Sequence, residues 1–143
     1  MKYWIIFVLV LGSALVLSSG SSRLFAQACK DEETMVGDFK KAVADLVETV
    51  KKESLVDFER SYHQKSATTK MSLFSGFVEG TLNCLQTRAK DPNILKADAD
   101  AAKSKIDTYA KLKDKIKQDR DALKAAQTEK EAKTVIEKLS YPK

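Results

Sequence analysis

Histidine and tryptophan occur once each, cysteine and proline twice each, and glycine only five times in the 143 residues. A lone histidine, His63, excludes any multi-histidine metal site and leaves all histidine chemistry to one side chain. There is no glycine-rich phosphate loop, no nucleophile elbow and no Cys-x-x-Cys. The patterns that serve nucleotide binding, acyl transfer and thiol exchange are therefore missing. Carboxylates are plentiful, but nothing in the sequence marks any two as desolvated, so none is assigned to glycosidase-type chemistry. Neither an Asn-x-Ser/Thr glycosylation signal, an internal repeat nor a convincing strand pattern is present. The reading is of a non-enzymatic chain with no catalytic residues, no metal and no cofactor.

What is present begins with one early charge, Lys2, and a nearly unbroken apolar run from Tyr3 to Leu17, followed by Ser18, Ser19, Gly20, Ser21 and Ser22. That order matches a secretory signal peptide. The run is short of the roughly 20 residues a membrane span needs. Two cleavage points fit: after Ala28, where Ala26-Gln27-Ala28 is small-x-small, and near Gly20 to Ser22. The first is preferred, giving a signal peptide at 1–28 and a single helical domain at 29–143. Its removal takes away Lys2 and Arg23 and no acid, lowering the formal net charge from +5 to +3. No transmembrane segment is expected after cleavage, and the expected location is secreted and extracellular. Export to an oxidising compartment makes a Cys29–Cys84 disulfide the default expectation.

The mature chain reads as helices throughout. Asp31, Glu32 and Glu33 crowd a first turn near Asp31, where acids favour the positive end of the helix dipole, and they read as a solvated helix start. Met35, Phe39, Val43, Leu46, Val47 and Val50 follow as an apolar stripe. Ser54, with Asp57 three residues on, resembles a capping box for a short helix bearing Leu55, Phe58 and Tyr62 on one face. His63, next to Gln64 and Lys65, is expected at the exposed end of that helix. Ser66 to Thr69 read as a turn, with a threonine capping a central helix from Met71 to Leu85. Gly76 and Gly80 lie one turn apart in it, and their cost in a helix suggests close approach by a neighbour. Asp91 would cap a further helix with Pro92 at its first position. From there to about Ala126 there is no glycine or proline, and Leu95, Ala99, Ala102, Ile106, Tyr109, Leu112, Ile116 and Leu123 supply a narrow stripe. Thr128 and Glu131 form a full capping box for a last helix, with Ala132, Val135, Ile136 and Leu139 on its apolar face. The fold class expected is all-α: a small secreted four- to five-helix bundle, monomeric or dimeric, with one disulfide.

Two stretches offer binding rather than catalysis. Phe39, Phe58, Phe74 and Phe77 are candidate walls of a cavity between helices for a small apolar, lipid-like ligand. Lys111, Lys113, Lys115, Lys117 and Arg120, offset only by Asp114 and Asp119, form a candidate basic surface for an acidic protein or an anionic membrane or polysaccharide. Nucleic acid is not expected as a partner, because export argues against it and no aromatics interleave with the lysines. The functional expectation is a secreted interaction protein acting on an unidentified extracellular partner through exposed helical faces. The alternative is a carrier of a small apolar ligand.

Overall fold

A computed structural model describes residues 29–141. The expected leader, 1–28, and both cleavage points lie outside the described residues. Four helices and no strand occur among them: α1 over 29–52, α2 from Arg60–Lys90, α3 from Lys96–Ala125 and α4 from Glu129–Glu137. They close around one apolar core to which all four contribute.

In α1 the buried side chains are Cys29, Val36, Val43, Val47 and Val50. Phe39 and Leu46 pack beside them, half-buried, whereas Met35 is exposed. The helix is thus rotated slightly from the expected stripe. Its inward seam steps 36, 40, 43, 47, 50, the alternating spacing of a helix packed along neighbours, with position 40 only half-buried. One of those seam positions holds a charged residue, Lys40.

The chain then turns without forming the short helix expected at Ser54. The Ser54 hydroxyl does accept the Asp57 N–H at 3.2 Å, but the pair closes a turn over 54–58 rather than opening a helix. Leu55 and Tyr62 are exposed while Phe58 is buried, so the three do not share a face.

No break interrupts α2 at Ser66 to Thr69, contrary to expectation. The seam His63, Ala67, Met71, Phe74, Val78 and Leu82 is buried straight through it. Packing along that seam outweighs the weak helix preference of serine and threonine. Hydroxyls along the helices are satisfied by donating back one turn, Ser72 to the Thr68 carbonyl and Thr81 to that of Phe77, both at 2.9 Å. His63 is accordingly buried, not exposed: its ring stacks on Phe58 at 4.9 Å, and its Nε2 lies 2.8 Å from Glu53 Oε2.

The start of α3 also differs. Asp91 Oδ1 accepts the Asn93 N–H at 2.8 Å, so Asp91-Pro92-Asn93 is a turn, and helix begins only at Lys96. Leu95, just before it, is exposed and outside the stripe. The far end of α3 is held by α2: Gln64 Nε2 donates to the carbonyls of Leu123, at 2.5 Å, and Ala126, at 3.2 Å. Orphan carbonyls at a helix end are thereby paired across the bundle, which sets the register of these two long helices.

Helix α4 starts as expected. Thr128 accepts the Glu131 N–H at 3.2 Å, and the Glu131 carboxylate accepts the N–H groups of Gln127 and Thr128 at 2.8 and 3.1 Å. Ala132 and Ile136 are fully buried. Lys133 reaches across from α4 to the Val50 carbonyl near the end of α1. After α4 the chain folds back so that the Tyr141 ring meets Phe74 edge-on at 5.1 Å.

Candidate binding site

The disulfide joins Cys29 in α1 to Cys84 in α2, with Cα atoms 5.8 Å apart. It pins the N-terminal end of α1 to the C-terminal half of α2. Of the three acids that follow, two are not solvated as expected. Glu33 pairs with Lys105 of α3 at 2.8 Å, and Glu32 lies against Gly80 of α2. Gly76 has nothing within 4 Å of where a β-carbon would stand, so only Gly80 answers to a close approach. Beside the disulfide a cavity of 370 Å³ has two charged pairs in its walls, Lys105 with Glu33 and Arg88 with Asp98.

Three of the four phenylalanines meet. Phe39 stacks on Phe77 at 5.1 Å and on Phe74 at 6.4 Å, while Phe58 sits apart against His63. The trio packs as core: Phe74 is fully buried, and Phe39 and Phe77 lean on the core cluster. None of these four side chains lines the largest cavity described below.

The basic stretch does not gather on one face. Successive residues turn by about 100° along a helix, which sends Lys113 and Lys115 to opposite flanks of the buried Leu112 and Ile116. Lys113 pairs with Glu79 of α2 at 2.9 Å. Lys115 pairs with Asp119 at 2.8 Å, its Nζ 5.3 Å from the Tyr141 ring centroid. Lys111 and Lys117 are exposed, and Arg120 is half-buried.

The largest cavity is instead a groove of 670 Å³ between α1, α3 and the returning tail. Val36, Gly37, Lys40 and Ala44 supply its α1 side, Tyr109 comes from α3 and Tyr141 from the tail; Glu33 and Lys41 complete the lining. Its volume falls in the range of about 300–1,000 Å³ typical of small-molecule sites. Two features of α1 leave the space open. Gly37 carries no side chain, and a β-carbon built there meets nothing within 4 Å. Lys40 occupies a seam position that an apolar residue would fill, and burial of its ammonium lowers its pKa. Both tyrosines hold their protons tightly. Burial raises the Tyr109 pKa, with Glu33 adding to the effect, and burial followed by the negative charge of Asp119 raises that of Tyr141.

Sequence reasoning missed this groove, since neither Gly37, Lys40 nor Tyr141 was singled out as a binding residue. The signal that could have found it is the lysine inside the four-three seam, three residues after a helical glycine. No group of three or more histidine, cysteine or acidic residues that could hold a metal ion occurs among the described residues. No protein-family model matches the chain, and no curated protein or solved structure matches it either.

Proposed function

We propose that the mature chain, 29–143, is a secreted, non-enzymatic binding protein that carries a small apolar ligand. The observation that supports this most is the groove beside Gly37 and Lys40, a sizeable, mainly apolar concavity in a bundle whose other cavities are more polar or smaller. The ligand site so proposed lies on the outer side of α1 and not among the phenylalanines. Native mass spectrometry of the secreted protein tests it. A co-purified or added apolar molecule bound at one per chain is expected, and a Gly37→Leu variant that still retains it would move the site elsewhere.

A second reading, contact with an extracellular protein, is favoured by the loop between α1 and α2. Val56 is 95 % exposed, with Leu55 beside it and Tyr62 in the first turn of α2 also exposed, over a base fixed by Phe58 and His63. Large apolar side chains left in solvent on a well-anchored loop suit a partner that covers them. Saturable capture of an extracellular partner that a Val56→Asp change abolishes is the expected result under this reading. Capture indifferent to that change would remove it.

A further inference from the structure

We propose that two copies of this chain pair through the outer face of α1 and α2, with α1 of each copy lying against α2 of the other. The pairing uses a different side of the bundle from the carrier groove and does not depend on it.

The apolar part of the face lies where α1 and α2 adjoin. Phe39 of α1 stacks on Phe77 of α2. At about 100° per residue, Met35 turns outward from Phe39, and Leu73 turns outward from Phe77. Met35 is 42 % and Leu73 51 % exposed, while Phe39, Leu46 and Phe77 are only half-buried. Among the described residues, α3 and the tail meet α1 on its other flank, at Glu33 and along the groove, and leave this strip open. Large apolar side chains shared by two adjoining helices and left in solvent suit a helical partner that covers them.

The charges beside the strip select a second copy as that partner. Asp38 and Asp45, both exposed and seven residues apart, follow the outer edge of α1. From Arg60 to Val78, by contrast, α2 holds Arg60, Lys65 and Lys70 and no acid. Asp38, Asp45, Lys65 and Lys70 form no ion pair among the described residues. The bridge from Cys29 to Cys84 and the ring pair Phe39 and Phe74 fix the antiparallel register, which puts Asp45 level with Thr68, between Lys65 and Lys70. A two-fold axis parallel to the helices keeps that level when α1 is laid on α2 of the other copy. Asp45 of each copy then faces Lys65 and Lys70 of the other, twice over, and the apolar strip meets itself. An axis across the helices would bring α1 against α1, acid on acid, which complementarity disfavours. An unrelated partner of one charge sign would match only one of the two edges.

Sedimentation equilibrium of the mature, disulfide-bonded protein over a range of concentrations is the test. A reversible rise from one chain mass to two is expected. Leu73→Asp puts a charge in the strip and should weaken association by at least about tenfold. Met35→Glu on the other helix should do the same, so the result does not hang on one variant. The double change Asp38→Lys, Asp45→Lys opposes base to base, and Lys65→Asp, Lys70→Asp opposes acid to acid. Each should stay monomeric where the unaltered chain pairs, and the two mixed in equal amounts should pair with each other. Circular dichroism checks that every variant is folded. A chain of single mass up to about 1 mM overturns the proposal, since even millimolar association would register there. So does a dimer that both strip variants leave intact, or a mixture of the two charge variants that does not pair. A monomer that binds phosphatidylcholine vesicles, and ceases to with Leu73→Asp, would give the face to a lipid surface and overturn the second copy.

Discussion

Glu32 of α1 lies so close over Gly80 of α2 that a β-carbon at position 80 would stand 2.6 Å from its Oε2. That oxygen is buried and has no hydrogen-bond partner. The contact sits one turn from each half of the Cys29–Cys84 bridge, so the glycine and the disulfide serve the same crossing of α1 over α2.

The three helical glycines should therefore respond differently to alanine. At Gly37 and Gly76 nothing meets the added methyl, and neither residue has positive φ, so each change should stabilise by up to about 1 kcal/mol through helix propensity alone. At Gly80 the same gain is offset because Glu32 must swing aside. Urea unfolding midpoints compare the three directly. A Gly80→Ala gain as large as that of Gly76→Ala would mean the crossing is looser than described.

The disulfide spans a sequence separation of 55 residues. On the chain-entropy model, closing a loop of that size stabilises the fold by about 4 kcal/mol, chiefly by restricting the unfolded chain. The double change Cys29→Ser, Cys84→Ser should lower unfolding free energy by about that amount and leave the far-UV spectrum of the folded protein helical. Because the bridge ties only the start of α1, amides near 29–36 should lose more exchange protection than those of α3. Uniform loss across the chain would count against a locally acting tie.

How far the fold was legible depended on whether local signals agreed with packing. The Thr128–Glu131 box and the Cys29–Cys84 pair were readable because each is decided by chemistry within a few residues or by the two sulfurs alone. The turn expected at Ser66 to Thr69 was misplaced because three small polar residues, Ser66, Thr68 and Thr69, signal a break locally, whereas Ala67 among them is buried and continues the seam. His63 misled for a related reason: its polar neighbours Gln64 and Lys65 suggested solvent, yet it sits one helical turn before Ala67 on the same buried line. Phe39, Phe58, Phe74 and Phe77 were expected as walls of one cavity, yet only Phe39, Phe74 and Phe77 meet, and sequence spacing gives no volume that could tell a filled aromatic core from a hollow one. The groove depends on what α3 and the tail do opposite Lys40, which no local pattern contains.

Helix α4 should be sensitive to acid. Backbone hydrogen bonds from Gln127 and Thr128 hold the Glu131 carboxyl below the usual glutamate range. A depressed folded value means the carboxylate contributes stability above its unfolded pKa, and that contribution is lost as pH falls through the folded value. Amides of residues 129–137 should exchange faster as pH drops below about 4.3, after correction for intrinsic rates. Glu131→Gln can still accept these bonds but cannot titrate, so it should flatten the response. An unchanged acid dependence in that variant would assign the effect to other carboxylates.

Alkali tests the tail. Burial, then the negative charge of Asp119, pushes the Tyr141 phenol well above its ordinary value, and its oxygen is buried without a well-formed hydrogen bond. For a group whose folded pKa is raised, the stabilisation is complete below the unfolded pKa and is lost as pH rises beyond it. Unfolding free energy should thus begin to fall above about pH 10. Tyr141→Phe removes the titrating group while keeping the ring against Phe74, so it should reduce that decline and leave stability near neutral pH unchanged or slightly higher. Part of the decline should persist through Tyr109, whose pKa is also raised, and vanish in the double change Tyr109→Phe, Tyr141→Phe. A single variant at 141 that loses stability at pH 7 would show instead that the hydroxyl is engaged, with Asp119 as the partner, and that the groove is closed at that end by a polar contact rather than by packing.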